Sequence, residues 1–309
     1  MTQDVENLTQ INWVQTMAKD YLKQKRRQRY AKWGLRSVLL LLVVIGIIFS
    51  PSGSSDGDAK KKHVAVIELE GGIFAKSHAN SERFINALDS AFKNKSAEVI
   101  MININSPGGS PVQADEMYQA LMTQRKANPK KKVIAICAEM CASAAYYVAA
   151  GADEIIANPS SLVGSIGVIS NGFGFTGAMD KIGISRRMVT AGKNKGFLDP
   201  FSPMESKDKE KLQVMLNIIH DEFKNNVIAG RGKRLKITEE TFSGLFWTGR
   251  QAKERGLIDG FGSSRDGYKE LPRIVYSHKD SVLDQISKQL SESVSHEIFA
   301  FLSAPKFLS

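Results

Sequence analysis

The chain has 309 residues, 42% of them apolar and 24% charged, enough for one sizeable core or two modest ones and too apolar for a disordered chain. Its net charge of +10 is concentrated at the start, where residues 1–62 hold eleven Lys/Arg against five Asp/Glu, or +6; the other 247 residues carry only +4. Those 247 residues show no basic stripe interleaved with aromatics, so a nucleic-acid partner is excluded as an expectation.

In chain order, a basic segment (1–32) precedes "WGLRSVLLLLVVIGIIFS" (33–50), in which Val38 to Phe49 is uninterrupted and apolar. Twelve residues span about 18 Å as a helix, short of the roughly 30 Å hydrocarbon core, so Trp33 to Leu35 and Ser50 must extend the span while Arg36 snorkels. An uncleaved transmembrane anchor is expected, because a cleaved signal peptide would have an overlong positive leader. The charge asymmetry places residues 1–32 in the cytoplasm and the bulk of the protein outside. "PSGSSDGDAKKK" (51–62) reads as a flexible linker.

From His63 the chain alternates "HVAVIELE" as strand, Ser81 to Phe92 as helix, "EVIMININ" as strand, Ala114 to Lys126 as helix and "KKVIAICA" as strand, which means α/β. A helix from Ser143 to Ala150, short strands at "DEIIAN" and "GSIGVIS", and an amphipathic helix around Lys207 to Gly230 follow. The main domain is expected over 63–270. A C-terminal strand and an amphipathic helix follow over 271–309, the latter with Val282, Leu283, Ile286, Leu290, Val294, Ile298 and Phe301 at helical spacing. Cys137 and Cys141, the only cysteines, read as small core residues, and no metal or other cofactor is expected.

Two strand-to-helix junctions are chemically unusual. "NINSPGGSPVQADEMYQAL" puts Pro107, Gly108 and Gly109 after a strand, where backbone can approach closely and free N–H groups can face negative charge, as in an oxyanion hole. "VIAICAEMCASAAYYVAAGADEII" puts Ser143 at the head of a helix, either as an N-cap or as a nucleophile. None of the five histidines lies beside a glycine-rich turn, although tertiary contacts could still supply one as the base. The other candidate bases are Lys193 and Lys195 in "TAGKNKGFLDPF", where Phe197, Leu198 and Phe201 would exclude water; a lysine acts as a base only where burial helps it shed its proton.

"NSPGG", "MCASAAYYVAAGADEIIANPSSLVGSIGV", "MVTAGKNKGFLDPF" and "FWTGRQAKERGLIDGFG" stand in the order and spacing of the signal peptide peptidase A family, which the chain resembles over roughly residues 64–265. The resemblance implies a crotonase/Clp-protease-like superhelix of repeated ββα units in a short, singly anchored member. It implies Ser143 as nucleophile, Lys195 as general base, Ser165 as the serine that orients the base amine, and Gly109 with an amide at Ser143 or Ala144 as the oxyanion hole. Ala144 and Ala145 depart from the Gly-Gly that many members carry there, so a tighter pocket is expected. The implied enzyme is a bacterial inner-membrane serine endopeptidase cutting cleaved signal peptides. Long members place nucleophile and base on different tandem copies, which implies a homo-oligomeric ring for this chain, with the C-terminal helix packing either in that assembly or on its own domain.

Other motifs carry less. "GFGFTG" (172–177) fits the dinucleotide pattern, but no acidic residue ends the following strand "SRRMVT", and the stretch is read as a loop. "WTGRQAKERGLIDG" reads as a solvated helix closed by Gly256. Two rival functions remain: a crotonase-type acyl-thioester lyase, for which Asp115 and Glu116 are the only carboxylates near Gly109, and a catalytically silent membrane scaffold.

Overall fold

The computed structural model describes residues 61–277, with Lys23, Trp33, Gly34 and Ser37 besides. Apart from these positions, the expected basic segment, anchor, linker and C-terminal helix lie outside the described residues. Among the described residues no helix is long and apolar enough to cross a membrane.

Strands β1 (His63–Glu70), β2 (Ala97–Ser106) and β3 (Lys132–Ala142) pair in parallel at the centre of one sheet. Their near-continuous Val/Ile runs suit strands covered on both faces. Ala65, Ile67, Ile100, Ile102 and Val133 point into the main core, under helices α1 (Ser81–Lys93) and α2 (Pro111–Ala127). Val64, Val66, Val99, Met101, Ile134 and Ile136 form a smaller cluster on the other face. Both helices start where the sequence caps them: Asn80 accepts from the Arg83 N–H, and Ser110 precedes Pro111 at the first helical position.

The eleven-residue β3 organises the rest. One edge pairs with β2; the other is shared, with Ile134 to Cys137 facing β4 (Glu154–Ala157) and Met140 to Ala142 facing β5 (Leu162–Gly164). Helix α3 (Ala144–Ala150) follows β3 directly, and all seven of its residues are buried. After α4 (Thr176–Lys181) and the long α5 (Ser206–Arg231), β6 (Phe246–Thr248) pairs antiparallel with β5. Helix α6 (Gly249–Glu254) leads to β7 (Gly260–Phe261), which pairs with β4, and β8 (Arg273–Val275) joins the free edge of β1. The expected C-terminal strand therefore belongs to the same sheet as the main domain.

Two sequence expectations fail locally. The strand expected at "GSIGVIS" is instead β5 at 162–164, because Ser165 adopts φ 51 and ends the extended run. Residues 185–190, expected as a strand, have no regular structure and find no sheet edge; of the loop expected at 172–177, residues 172–175 are irregular as expected, but Thr176 and Gly177 open helix α4.

Helix α5 is buried only toward its end, where Phe223, Val227 and Arg231 stand four apart on one face. Arg231, fully buried, forms a two-pronged pair with Asp259 at 2.8 and 2.9 Å and donates to the Gly256 carbonyl at 3.0 Å. Asp259 also accepts the Ile155 N–H at 2.8 Å, tying α5 to β4. The helix and Gly256 of "WTGRQAKERGLIDG" are as expected, but Asp259 is drawn inward and Arg255 covers the Trp247 ring at 3.7 Å. Burial pushes the Asp259 carboxyl up, but the Arg231 hydrogen bond, the Ile155 amide and the two arginine charges bring it below its usual value. A carboxyl lowered by folding stabilises fully above its unfolded value, near 3.8, and loses that contribution as pH falls through the folded value. Asp259→Ala leaves Arg231 buried without its partner and is expected to cost about 3–5 kcal/mol by urea unfolding at pH 7. The difference from wild type should shrink only below about pH 4, where the wild-type carboxyl takes up its proton.

Candidate active site

Ser143 lies between β3 and α3 with φ 54 and ψ −125, a conformation costly for a residue with a side chain. It is held there from both sides of its peptide. Its N–H donates to the Gly164 carbonyl at 2.8 Å, extending the β3–β5 pairing by one residue, and its carbonyl accepts the Tyr147 N–H at 3.0 Å. The side chain makes no capping hydrogen bond, so the N-cap reading of Ser143 does not hold. Among the described residues the hydroxyl has no hydrogen-bond partner.

The glycine turn faces it. Gly108 has φ 100, and a Cβ there would fall 2.7 Å from the Ser143 Cβ and 2.9 Å from the Ala144 nitrogen. Gly109 has φ 156, and a Cβ there would fall 2.1 Å from the Ile73 carbonyl oxygen. Only glycine lets the turn approach so closely. The turn is pinned by Ile73 N–H to Gly108 O at 2.9 Å, Ser110 N–H to Ile73 O at 2.8 Å, and Gly108 N–H to Ser106 Oγ at 3.1 Å. Among the described residues, the N–H groups of Gly109 and Ala144 have no acceptor, whereas that of Ser143 is spent on Gly164. Of the two amides the sequence left open, Ala144 is therefore the available donor.

Ser165 follows Gly164 and so sits one register position beyond the β5 residue that holds Ser143. It is half-buried, and its N–H donates to the Leu245 carbonyl at 2.8 Å. One residue further, the Ile166 carbonyl is 3.1 Å from the His220 Nε2 on α5. A cleft of about 840 Å³, lined in part by Asn105, Ser106, Pro107, Met140, Ser161 and Leu162, borders these loops.

Lys195 makes no hydrogen bond or ion pair with its side chain among the described residues. Among the described residues no hydrogen bond joins it to Ser143 or Ser165. Lys193 and Lys195 are both exposed, and Phe197 is half-buried while Leu198 and Phe201 are exposed. Among the described residues the apolar enclosure expected around Lys195 is thus not formed: Phe201 is instead engaged with Phe175, its ring stacked on that side chain, and with Arg186.

The carboxylates of the lyase alternative are committed elsewhere. Asp115 accepts the Tyr147 hydroxyl at 2.9 Å, and Glu116 takes the Ser81 hydroxyl. Tyr147 in turn accepts from Asn226 on α5, and burial, with the Asp115 bond, pushes its phenol well up, keeping it a donor. This bridge between α2, α3 and α5 was not anticipated; the paired tyrosines of "SAAYYV" were its only local trace.

A strained serine opening a buried helix, faced by a glycine turn on a parallel sheet, defines the class as an α/β peptidase domain of the Clp type. The family model for Clp protease matches residues 62–166, and that for Peptidase family S49 matches residues 125–275, a span holding Ser143, Ser165 and Lys195. A protein of Synechocystis sp. (strain ATCC 27184 / PCC 6803 / Kazusa), provisionally named as a protease, is 30% identical over 206 residues, covering 67% of this chain and 72% of that protein. The chain belongs to peptidase family S49, a family of serine peptidases. A protein of Enterococcus faecium, provisionally named signal peptide peptidase SppA, is 27% identical over 204 residues, 66% of this chain and 59% of that protein. A protein of Brucella abortus (strain 2308) named Na(+)/H(+) antiporter NhaA is 46% identical over 178 residues. The match covers 58% of this chain but only 24% of that protein.

Gly108→Ala should press a methyl group onto Ser143 and displace Ala144. The acylation burst with an activated ester is expected to fall about 100-fold or more, the scale of losing one oxyanion donor, with an unchanged circular dichroism spectrum. An undiminished burst would show that the turn does not serve the serine.

Proposed function

We propose that the chain is a membrane-anchored serine endopeptidase that hydrolyses unfolded apolar peptides, cleaved signal peptides among them, with a Ser143/Lys195 dyad completed between subunits. The observation that carries this reading is the uncommitted Ser143 hydroxyl beside the two free amides of Gly109 and Ala144. The partner subunit's Lys195 takes the hydroxyl proton as Oγ attacks the peptide carbonyl, and the two amides bind the oxyanion. The ammonium then protonates the leaving amine, and an acyl ester remains on Ser143. Water, deprotonated by the same lysine, attacks the ester and releases the acid. Ser165, beside Ser143 in the sheet register, orients the base amine.

Assembly between subunits is supported by where the lysine sits. Lys195 is exposed on a segment whose flanks carry Val189 (98% exposed), Ile169 and Phe173 (both 81%). The N-terminal half of α5 adds exposed Val214, Met215 and Ile218. Apolar surface of this extent is ordinarily covered by another protein surface, and a head-to-tail contact between copies closes into a ring where its rotation closes. A second copy there would desolvate the lysine, as a neutral base requires. The apolar run Val38 to Phe49 supports an anchor, and the basic residues before it support a domain outside the cytoplasm. The provisional name of the Enterococcus faecium relative supports the substrate class.

Ser143→Ala and Lys195→Ala should each abolish hydrolysis of an unfolded apolar peptide, while Lys193→Ala keeps most of it. Mixed oligomers of the two inactive variants should regain part of the activity; no rescue in demonstrably mixed oligomers contradicts a shared site. Wild-type activity should rise from neutral toward alkaline pH, since a lysine base acts only without its proton. Unaltered hydrolysis in Ser143→Ala would leave the silent-scaffold reading for this site.

A further inference from the structure

Cys137 and Cys141 lie four residues apart on β3, where regular extension would hold them about 13 Å apart. The register brings them much closer. Cys137 pairs with Ile104 and Cys141 with Ser106, so three residues, Ala138 to Met140, stand opposite the single Asn105. Two residues along β2 advance about 6.6 Å, and the partners opposite them are separated by roughly as much, inside the roughly 4.4–6.8 Å Cα range of disulfides. The bulge is held by Met140 N–H to Asn105 Oδ1 at 3.2 Å and by the Ser161 hydroxyl on the carbonyls of Cys137 and Ala138. Both side chains are buried in the same helix-covered core.

We propose that Cys137 and Cys141 are a disulfide-forming pair that braces the bulge two residues before Ser143. The oxidant is an organic disulfide, either small or carried by a protein. One cysteine thiolate attacks it, forming a mixed disulfide and releasing one thiol; the second cysteine then attacks the mixed disulfide, closing the Cys137–Cys141 bond and releasing the other thiol. Two electrons and two protons pass from the cysteines to the oxidant. In the folded chain the cysteines are 1% and 0% exposed, so the exchange belongs to folding, before β3 is covered, and the finished bond is shielded from reductants. The bond joins the half of β3 paired with β4 to the half that carries Ser143. Its occurrence in the cell rests on the extracytoplasmic placement proposed above; its formation on refolding does not.

The test uses the full chain, denatured and reduced, then refolded in detergent with a glutathione redox buffer, acid-quenched and alkylated. One species two hydrogen masses lighter than the dithiol and free of alkyl groups is expected, with a lower midpoint of thermal unfolding once it is unfolded, reduced and refolded without oxidant. Cys137→Ala and Cys141→Ala should each leave one alkylatable thiol. Two alkylated cysteines, or only glutathione adducts, overturn the proposal. Protein taken from its native membrane and quenched in the same way should also lack free thiols. Free thiols there, with a disulfide on refolding, overturn the extracytoplasmic placement and the bond's presence in the cell, while Ser143-dependent peptide hydrolysis is scored separately.

Discussion

The hydrogen bond from the Ser143 amide to the Gly164 carbonyl is the constraint on which the site depends. It continues the β3–β5 pairing past the last strand residue, fixing Ser143 in a left-handed conformation it would not choose. The same bond consumes the serine's own amide, while among the described residues the Ala144 N–H on that side has no acceptor. It also sets Ser165 beside Ser143. Chain direction, the free Ala144 amide and the register position of Ser165 thus follow from one backbone contact at a shared strand edge.

That contact needs support on both flanks. On one, the glycine turn fits against Ser143 and is latched to Ile73, with no room for a side chain at either glycine. On the other, α3 is buried along its whole length and bridged through Tyr147 to Asp115 and Asn226. Further off, the Arg231–Asp259 pair ties the end of α5 to β4, which shares an edge of β3 with β5. A strained residue persists only where its surroundings over-determine it, and these contacts do so.

Much of this was legible in the sequence. The Val/Ile runs and their spacing marked β1, β2, β3 and the helices between them to within a few residues, because a buried parallel sheet leaves a strong apolar signal. The glycine turn and Ser143 stood out as residue types ill suited to their apolar surroundings. What stayed hidden was set by tertiary contact. No local pattern distinguishes a serine that caps a helix from one whose amide is tied to another strand. Nor does spacing reveal that three residues of β3 bulge opposite Asn105, or that Asp259, in a charged surface-like stretch, pairs with a buried arginine 28 positions earlier. The strand expected at 164–170 failed because its apolar alternation could not report the positive φ of Ser165.

The proposed activity rests on Ser143 as the nucleophile, made reactive by its turn and its neighbours. Its most direct test is to treat the full-length protein with a fluorophosphonate and map the adduct by tandem mass spectrometry of its peptides. A single adduct on the Ser143 hydroxyl, with Ser106, Ser161 and Ser165 unmodified, is the predicted result. An adduct on any of those three instead, or none under conditions where the oligomer is intact, would contradict the account.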